Sequence, residues 1–419
     1  MTQKQAFEIL KSGRGAFLTG PAGSGKTFLL RLFIKWLKEK DKSVAVTATT
    51  GLAATHLGGR TIHSWAGIGI HDTLTENILK KITDRKQVVK EIKETDVLII
   101  DEVSMLHDFR LNMVDQVCRR IRRRPDLPFG GIQVVLSGDF FQLPPVSRQG
   151  EEPARFVVVS EAWEALQPVV CYLDEQYRQE SGNDLAEILN ALRNNRIKEE
   201  HVDKLKSRRL DNPGGLTELH CHNEDIDRIN QAKLDGLPGK ERAFLGEKTS
   251  LSKDKQLLEQ LVKNCLAPDI LRLKQRALVM FVKNSPDGSY INGTIGRVIA
   301  FNTATGLPLV ETRTGRTIKA DREKWSLERE GMEIAAFRQL PLRLAWAITI
   351  HKSQGMTLDG AYIDLSKTFE PGMGYVALSR LKNLESLYLK DFNDLSLRMN
   401  PDALVIDEML RRQSALAAG

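Results

Sequence analysis

The chain has 419 residues, 41% hydrophobic and 27% charged, an ordinary globular composition with length enough for about two to four domains. Sixty-one Lys and Arg against 54 Asp and Glu leave a net charge of +7, a mild excess that permits a polyanionic partner without requiring one. Cys118, Cys171, Cys221 and Cys265 stand singly, no apolar run approaches about 18 residues, and Thr2-Gln3-Lys4-Gln5 resembles no signal peptide. These features exclude a disulfide framework, a zinc ribbon and a membrane span, and predict a cytoplasmic protein with no membrane partner.

Ala16-Phe17-Leu18-Thr19 reads as a short buried strand entering Gly20-Pro21-Ala22-Gly23-Ser24-Gly25-Lys26-Thr27, which fits the pattern G-x-x-x-x-G-K-[ST]. Gly20, Gly23 and Gly25, with Ser24, let backbone N–H groups curl inward around phosphates, where a Cβ would block the turn or the approach. Lys26 then reaches the β/γ-phosphates and Thr27 offers its hydroxyl to Mg²⁺. Apolar residues at Phe28, Leu29, Leu32, Phe33 and Trp36 predict a helix over 28–37. Strand, glycine loop and helix in that order predict a site for ATP or GTP.

Val44 to Thr47 predicts a second strand, running into a loop of small residues, Ala48 to Ala54. Residues 66–95 are polar and Lys-rich and predict a small insertion of one or two short helices, either a solvated hairpin or a strand-separating wedge. Val97-Leu98-Ile99-Ile100 is the continuous apolar run of a strand buried on both faces, and it delivers Asp101-Glu102 to the sheet edge where open α/β folds bind ligands. There Asp101 is placed to hold Mg²⁺ through water, and Glu102 to orient and deprotonate an attacking water. Arg119 to Arg124 holds five arginines in six positions, either a DNA patch or the solvated end of a helix whose apolar positions are Leu111, Val114, Val117 and Ile121. Val134-Val135-Leu136 predicts another strand, and in the loop that follows, Ser137 to Pro145, Gln142 can touch a γ-phosphate. His220-Cys221-His222 alternates faces on a strand and offers no metal site.

GPAGSGKT, LIIDEVSM and GDFFQLPPV in this order resemble motifs of superfamily-one helicases, and PFGGIQ of Pro128 to Gln133 is similar to the petite integration frequency (PIF-type) DNA helicases in particular. A generic phosphate-loop ATPase does not predict GDFFQLPP. Further on, Arg178 precedes a predicted amphipathic helix with Leu185, Ile188, Leu189 and Leu192. By its residues alone Arg178 is a surface charge or a cation reaching a phosphate; the resemblance favours contact with the γ-phosphate. Leu216 to Leu219 and a helix holding Ile226 and Ile229 predict a second α/β unit. Thr294 to Leu340 has the pattern of short strands and tight turns, and it resembles the small SH3-like β insert of PIF-type helicases. The stretch around His351, Lys352 and Gly355 resembles the fifth helicase motif, whose polar residues contact DNA and whose glycine lies beside the nucleotide. Tyr375 to Arg380 resembles the sixth, with Arg380 as a finger on the transferring phosphate. Gln3 resembles an adenine-contacting glutamine, although Gln5 two residues on leaves the register open.

The resemblance implies an α/β fold of two RecA-like P-loop domains: 1–165, carrying the small helical insert at 66–95, and 166–293 with 341–419, interrupted by the SH3-like β insert at 294–340. ATP with Mg²⁺ would be held by Lys26, Thr27, Asp101, Glu102 and Gln142 from the first and Arg178 and Arg380 from the second. Single-stranded DNA would run across both, near Thr49, Gly51, Thr61, His63, His351 and Lys352, with Phe140 and Phe141 either stacking on bases or sitting in the core. The implied activity is that of an ATP-dependent DNA helicase, a monomer moving 5′ to 3′ and opening duplex junctions. Two alternatives stand beside it. An ATP-switched DNA-binding or remodelling module is disfavoured by Glu102 and the two arginines. The motor subunit of a nuclease-helicase assembly is disfavoured by PFGGIQ and by the want of a nuclease carboxylate cluster.

Overall fold

The apolar runs of the first half of the chain assemble into one parallel sheet. In the computed structural model, β1 (Ala16–Thr19), β2 (Val44–Ala48), β3 (Arg60–Thr61), β4 (Val97–Asp101), β5 (Gln133–Ser137) and β6 (Val169–Tyr172) lie in the order β3-β2-β4-β5-β1-β6. Ala16 lies opposite Val135 on one side and Val169 on the other, and Val46 opposite Ile99. Every residue of β1, β4 and β6 is buried, which is why these segments read as unbroken apolar runs and not as alternating ones. Because the strands are parallel and β4, β5 and β1 are neighbours, the three segments leaving their C-terminal ends converge on one edge. Those segments are the glycine loop, Asp101-Glu102 and Ser137 to Pro145. The structure describes residues 1–418 except 51–52, 55–56, 70, 146–153, 175–182, 251–257, 260, 263–264, 266, 284, 286, 291–293, 313–314 and 330–331.

Helix α1 (Gln3–Lys11) buries Ala6 and Leu10, and helix α2 (Lys26–Glu39) buries Leu29, Leu30, Phe33 and Leu37, in one core with β1, Val97, Ile99 and Val135. Of the apolar positions that mark this helix in the sequence, Leu29 and Phe33 are buried while Phe28 and Leu32 are 57% and 41% exposed. Two stripes of i,i+4 apolar residues exist on this helix, and only contact with the sheet selects the one through Leu29, Phe33 and Leu37.

The 66–95 segment contains two short helices, Glu76–Thr83, capped by Thr75, and Lys86–Glu94, which bury Leu79, Ile82 and Ile92 and leave their lysine face outside. Of the arginine run, Arg119 bonds Asp115 at 2.7 Å, Arg120 reaches Glu76 at 3.2 Å, and Arg122 donates to the carbonyls of Gly130, Ile92 and Thr95 at 2.9–3.1 Å. These three arginines tie the end of helix Asp108–Arg122 to its surroundings. The PFGG turn receives that helix: Phe129 N–H donates to Asp115, and at Gly130, φ +61°, a Cβ would stand 2.8 Å from the Cys118 carbonyl. The PFGG segment is thus a packing device.

The chain divides into two compact units, Met1–Asn212 with Ser353–Gly419, and Pro213–Lys352. Residues 166–212 and 353–419, expected in the second RecA-like domain, pack in the first of these units. The reason is visible at β6. Helix Pro401–Ala418 lies against it, burying Ala403, Ile406 and Leu410, and Ser414 accepts a hydrogen bond from Tyr172 N–H at 3.0 Å. In this unit strands Ala361–Leu365 and Leu387–Phe392 pair in parallel. In the second unit Thr217–His220 and Ala347–Thr349 do the same, beside helix Asn223–Asp235.

The rest of the second unit is largely antiparallel. Strands inside 294–340 pair with strands outside it: Ile295–Phe301 with Leu278–Phe281, and Met332–Gln339 with Glu247–Ser250. The β region is therefore wider than the expected insert, because short strands with one apolar face need neighbours on both sides. Among the described residues no helix is long and apolar enough to cross a membrane.

Candidate nucleotide-binding and catalytic site

The glycine loop is shaped by backbone that only glycine adopts without strain. Gly20, Gly23 and Gly25 have φ of 142°, 85° and 88°. A Cβ on Gly20 would lie 2.4 Å from the Leu173 carbonyl oxygen. Gly25 is also the N-cap of α2, so the positive end of that helix faces the loop. Lys26 Nζ donates to the carbonyls of Gly20 at 2.8 Å and Pro21 at 3.0 Å, closing the loop on itself. Burial pulls the Lys26 pKa down, and the carboxylates of Asp139, Glu102 and Asp101 oppose that shift.

Asp101 is the last residue of β4 and its carboxylate accepts from the Glu102 N–H at 2.9 Å. Glu102 itself has φ 54°, ψ 44°, a left-handed conformation that a non-glycine residue adopts only where its surroundings hold it. Thr49 supplies that hold: its hydroxyl donates to the Glu102 carbonyl at 2.9 Å and its N–H to that of Asp101 at 3.3 Å. Gln354 Nε2 donates to the Glu102 carboxylate at 3.2 Å. Burial raises the pKa of Asp101. Glu102 is pushed up to about 7, first by burial and then by the negative charge of Asp101.

Ala22, Gly23, Gly25, Lys26, Thr27, Phe28, Glu102, Gln142, Gly355 and Arg380 line one cavity of about 360 Å³. Arg380 is 1% exposed and donates through Nε to Val376 and through NH1 to the carbonyls of Ser353 and Met356, at 2.9–3.4 Å. Gln142 Oε1 is buried without a protein partner. A glycine loop at a helix N-terminus, with Lys26, Thr27, Glu102 and the unpartnered Gln142 oxygen on one cavity, fits a nucleotide triphosphate with Mg²⁺. Among the described residues no cluster of three or more acidic, His or Cys side chains gathers there. An ion at this place would share Thr27, one carboxylate, phosphate oxygens and water, the sparse protein ligation typical of Mg²⁺.

Other expected residues fall differently. Gln3 Nε2 donates to the Ser24 carbonyl at 3.3 Å, while Gln5 is occupied in a capping box with Thr2, so the register that the sequence left open places Gln3 at the loop. Phe140 and Phe141 are 3% and 2% exposed. Phe140 packs on Phe17 and Phe156, and Phe141 on Tyr375. Both are core residues, a correction to their placement as base-stacking candidates, since the loop after β5 folds back onto the sheet. Thr49 is buried with its hydroxyl turned to the Glu102 turn, and Thr61 caps helix Ile62–Trp65 by accepting from Ser64 N–H at 3.3 Å. His63 is half-buried, its pKa pushed down to about 4 by burial and by Arg110 and His107. In the second unit burial lowers the pKa of His351 and takes Lys352 down to about 8, and Lys352 Nζ donates to Asn223 at 3.3 Å. Arg178 and Gly51 lie outside the described residues.

Sequence reasoning missed Gln354, Asp139, Tyr375 and Arg193. Arg193 had one available signal: it continues the buried stripe of helix Asp184–Arg193 at i+4 from Leu189, where a charge implies a buried partner.

A phosphate loop, Glu102 after β4, Gln142 after β5 and the buried Arg380 around one cavity define an ATP-hydrolysing motor of the RecA-like class. A model of the PIF1-like helicase family matches residues 2–203. The ATP-dependent DNA helicase Pif1 of Psychrobacter sp. is 43% identical over 98% of this chain and 71% of that protein. The crystal structure of Pif1 helicase from Candida albicans superposes with TM-score 0.88 at 36% identity, covering 97% of this chain and 98% of that one. That of the Bacteroides Pif1 helicase in complex with ADP-AlF3 and ssDNA gives 0.75 at 30% identity, covering 98% and 96%. The chain belongs to the PIF1-like helicase family. It is an ATP-dependent DNA helicase with the mixed α/β, two-domain RecA-like fold of that family. It spans under two thirds of the length of the vertebrate relatives it matches.

Proposed function

We propose that the chain translocates 5′ to 3′ on single-stranded DNA and opens duplex junctions, each step driven by ATP hydrolysis at the cavity around Lys26. The observation that carries this reading is the convergence of Lys26, Glu102, Gln142, Gly355 and Arg380 on that one cavity, with Glu102 brought to about 7. In this assignment Lys26 binds the β/γ-phosphates, and Thr27 and Asp101 hold Mg²⁺, which neutralises phosphate charge. Glu102 takes a proton from the attacking water, a task suited to a carboxylate titrating near neutrality. Gln142 and Arg380 face the γ-phosphate, where a guanidinium stabilises developing charge. Gln3 is assigned to adenine by sequence resemblance, and its contact with the loop supports that assignment. Arg178 is assigned to the γ-phosphate, and Gly51 to DNA, by sequence resemblance alone.

For DNA, Thr61 and His63 in the first unit and His351 and Lys352 in the second are the proposed backbone contacts, and a neutral His63 would donate a hydrogen bond without a charge. The antiparallel strands that include 294–340 are proposed to be the SH3-like insert beside the DNA path. The helical pair within 66–95 is the proposed wedge, and the motor is proposed to act as one chain. The test is an unwinding gel with duplexes tailed at the 5′ or at the 3′ end. The 5′-tailed substrate is expected to open in the presence of ATP and Mg²⁺ and the 3′-tailed one to stay closed; opening of the 3′-tailed duplex alone overturns the direction.

A further inference from the structure

Behind the nucleotide cavity, in the same compact unit, lies a buried charged node that the hydrolysis chemistry does not use. Arg193 is 3% exposed. Its NH1 donates to both oxygens of Asp139, at 2.8 and 2.9 Å, and to the Tyr375 hydroxyl at 2.9 Å. Its NH2 donates to the Tyr172 hydroxyl at 2.9 Å and to Asp407 at 3.2 Å. The guanidinium plane lies over the Phe141 ring at 4.3 Å. Burying so many charges is a weak way to gain stability, because desolvation cancels most of the attraction, whereas their directional bonds fix geometry.

The geometry being fixed is that of the phosphate loop. The Tyr375 hydroxyl accepts from Arg193, donates to Asp139 Oδ2 at 3.2 Å, and accepts from the N–H of Ala22 at 3.2 Å. Its hydrogen-bonding capacity is thereby filled. Burial pushes its pKa up to about 12, so it stays a neutral phenol through the working pH range. Ala22 is the third residue of the loop, immediately before Gly23. Asp139 stands three residues before Gln142, and Tyr375 five before Arg380. One hydroxyl thus joins the loop tip to both segments that carry the other phosphate-facing side chains.

We propose that Tyr375, clamped by Arg193 and Asp139, is a positioning residue for the nucleotide: it holds the Ala22 amide, and with it the curvature of the phosphate loop, in register with the segments of Gln142 and Arg380. This inference rests on the reading of the cavity as the ATP site.

The test compares Tyr375→Phe with Tyr172→Phe in the full chain, each removing one hydroxyl from Arg193, of which only the first touches the loop. ATP turnover stimulated by single-stranded DNA is measured for KM and kcat, with thermal unfolding and amide hydrogen exchange of the loop alongside. Y375F is expected to raise KM for ATP roughly 3- to 10-fold, the scale of one lost hydrogen bond, with kcat within about twofold of the parent and faster exchange over residues 20–27. Y172F is expected to lower thermal stability to a similar degree with KM and loop exchange unchanged. An unchanged KM in Y375F, or an equal rise in Y172F, overturns the proposal and marks the node as packing alone. Should Y375F not fold, Asp139→Asn takes its place: it keeps the phenol, loosens the clamp, and is expected to raise KM in the same way, an unchanged KM again overturning the idea. A parent chain without ATP turnover would instead refute the ATP-site reading.

Discussion

Glu102 is pushed up to about 7 by burial and then by the adjacent Asp101 charge, against the opposing pull of Lys26, Arg380 and the Gln354 hydrogen bond. In its proposed role as general base it must be ionised, so kcat/KM for ATP hydrolysis is expected to rise with pH and level off above about 7. Glu102→Gln should remove that limb along with turnover, a loss of roughly 10²- to 10⁴-fold. The same shift has a sign for stability. A carboxyl whose folded pKa lies above its unfolded value favours the folded state at low pH, and that contribution is lost as pH rises through the folded pKa. E102Q should therefore be more stable than the parent above about pH 7, by roughly 1–3 kcal/mol, and no more stable near pH 4; a thermal melt at both pH values checks it. Lys26→Ala should cost roughly 10²- to 10³-fold in turnover, the scale of a lost anion-stabilising donor. It should leave binding to single-stranded DNA close to that of the parent, because Lys26 bonds the loop carbonyls of Gly20 and Pro21 and lines the nucleotide cavity. Loss of DNA binding with normal turnover would contradict the assignment.

Among elements, the 294–340 region illustrates how pairing overrides composition. Its turns and short strands identify it as β structure, but which residues complete its sheets cannot be read from a local pattern, since antiparallel partners lie tens of residues away. Replacing 294–340 by a short Gly-Ser linker would strip Leu278–Phe281 of its Ile295–Phe301 partner and Glu247–Ser250 of Met332–Gln339. The expected result is proteolytic cleavage within 213–352, with the first unit still binding ATP, seen by limited digestion with and without nucleotide. A variant whose second unit stays protease-resistant would show that the remaining strands suffice. Helix α2 makes a related point, because its two apolar stripes are equally regular and the sheet alone decides that Phe28 stays in solvent at the cavity mouth.

At the scale of the whole molecule, a net charge of +7 spread over 419 residues is too mild to identify a partner, yet sequence-independent DNA binding by such a motor is an electrostatic event. Binding of single strands should weaken linearly in log salt, with a slope near −0.7 per phosphate contacted. Titrations of a fluorescent oligonucleotide at several salt concentrations check this, and a flat response would indicate contacts to base edges instead. Lys352, with its pKa lowered to about 8, loses its charge within the accessible range. Burial and the neighbouring Arg343 charge oppose protonation there more than Asp227 favours it.

The sequence by itself determined the chemistry of the nucleotide loop, because that chemistry lives in contiguous residues: three glycines with forbidden backbone angles, then Lys26 and Thr27 on the first turn of a helix. It determined β4 and its carboxylates for the same reason, a local apolar run ending in Asp101-Glu102. Tertiary structure alone decided what surrounds them. It turned Phe140 and Phe141 into the core, turned Thr49 into a strut under Glu102, set Gln3 against the loop and Gln5 against Thr2, and brought Arg193, Asp139, Tyr375 and Ala22 together from four distant segments. Each of those outcomes depends on which side chains share a buried volume, and that is set by the order of strands in the sheet and the helices packed on it, which no spacing along the chain encodes.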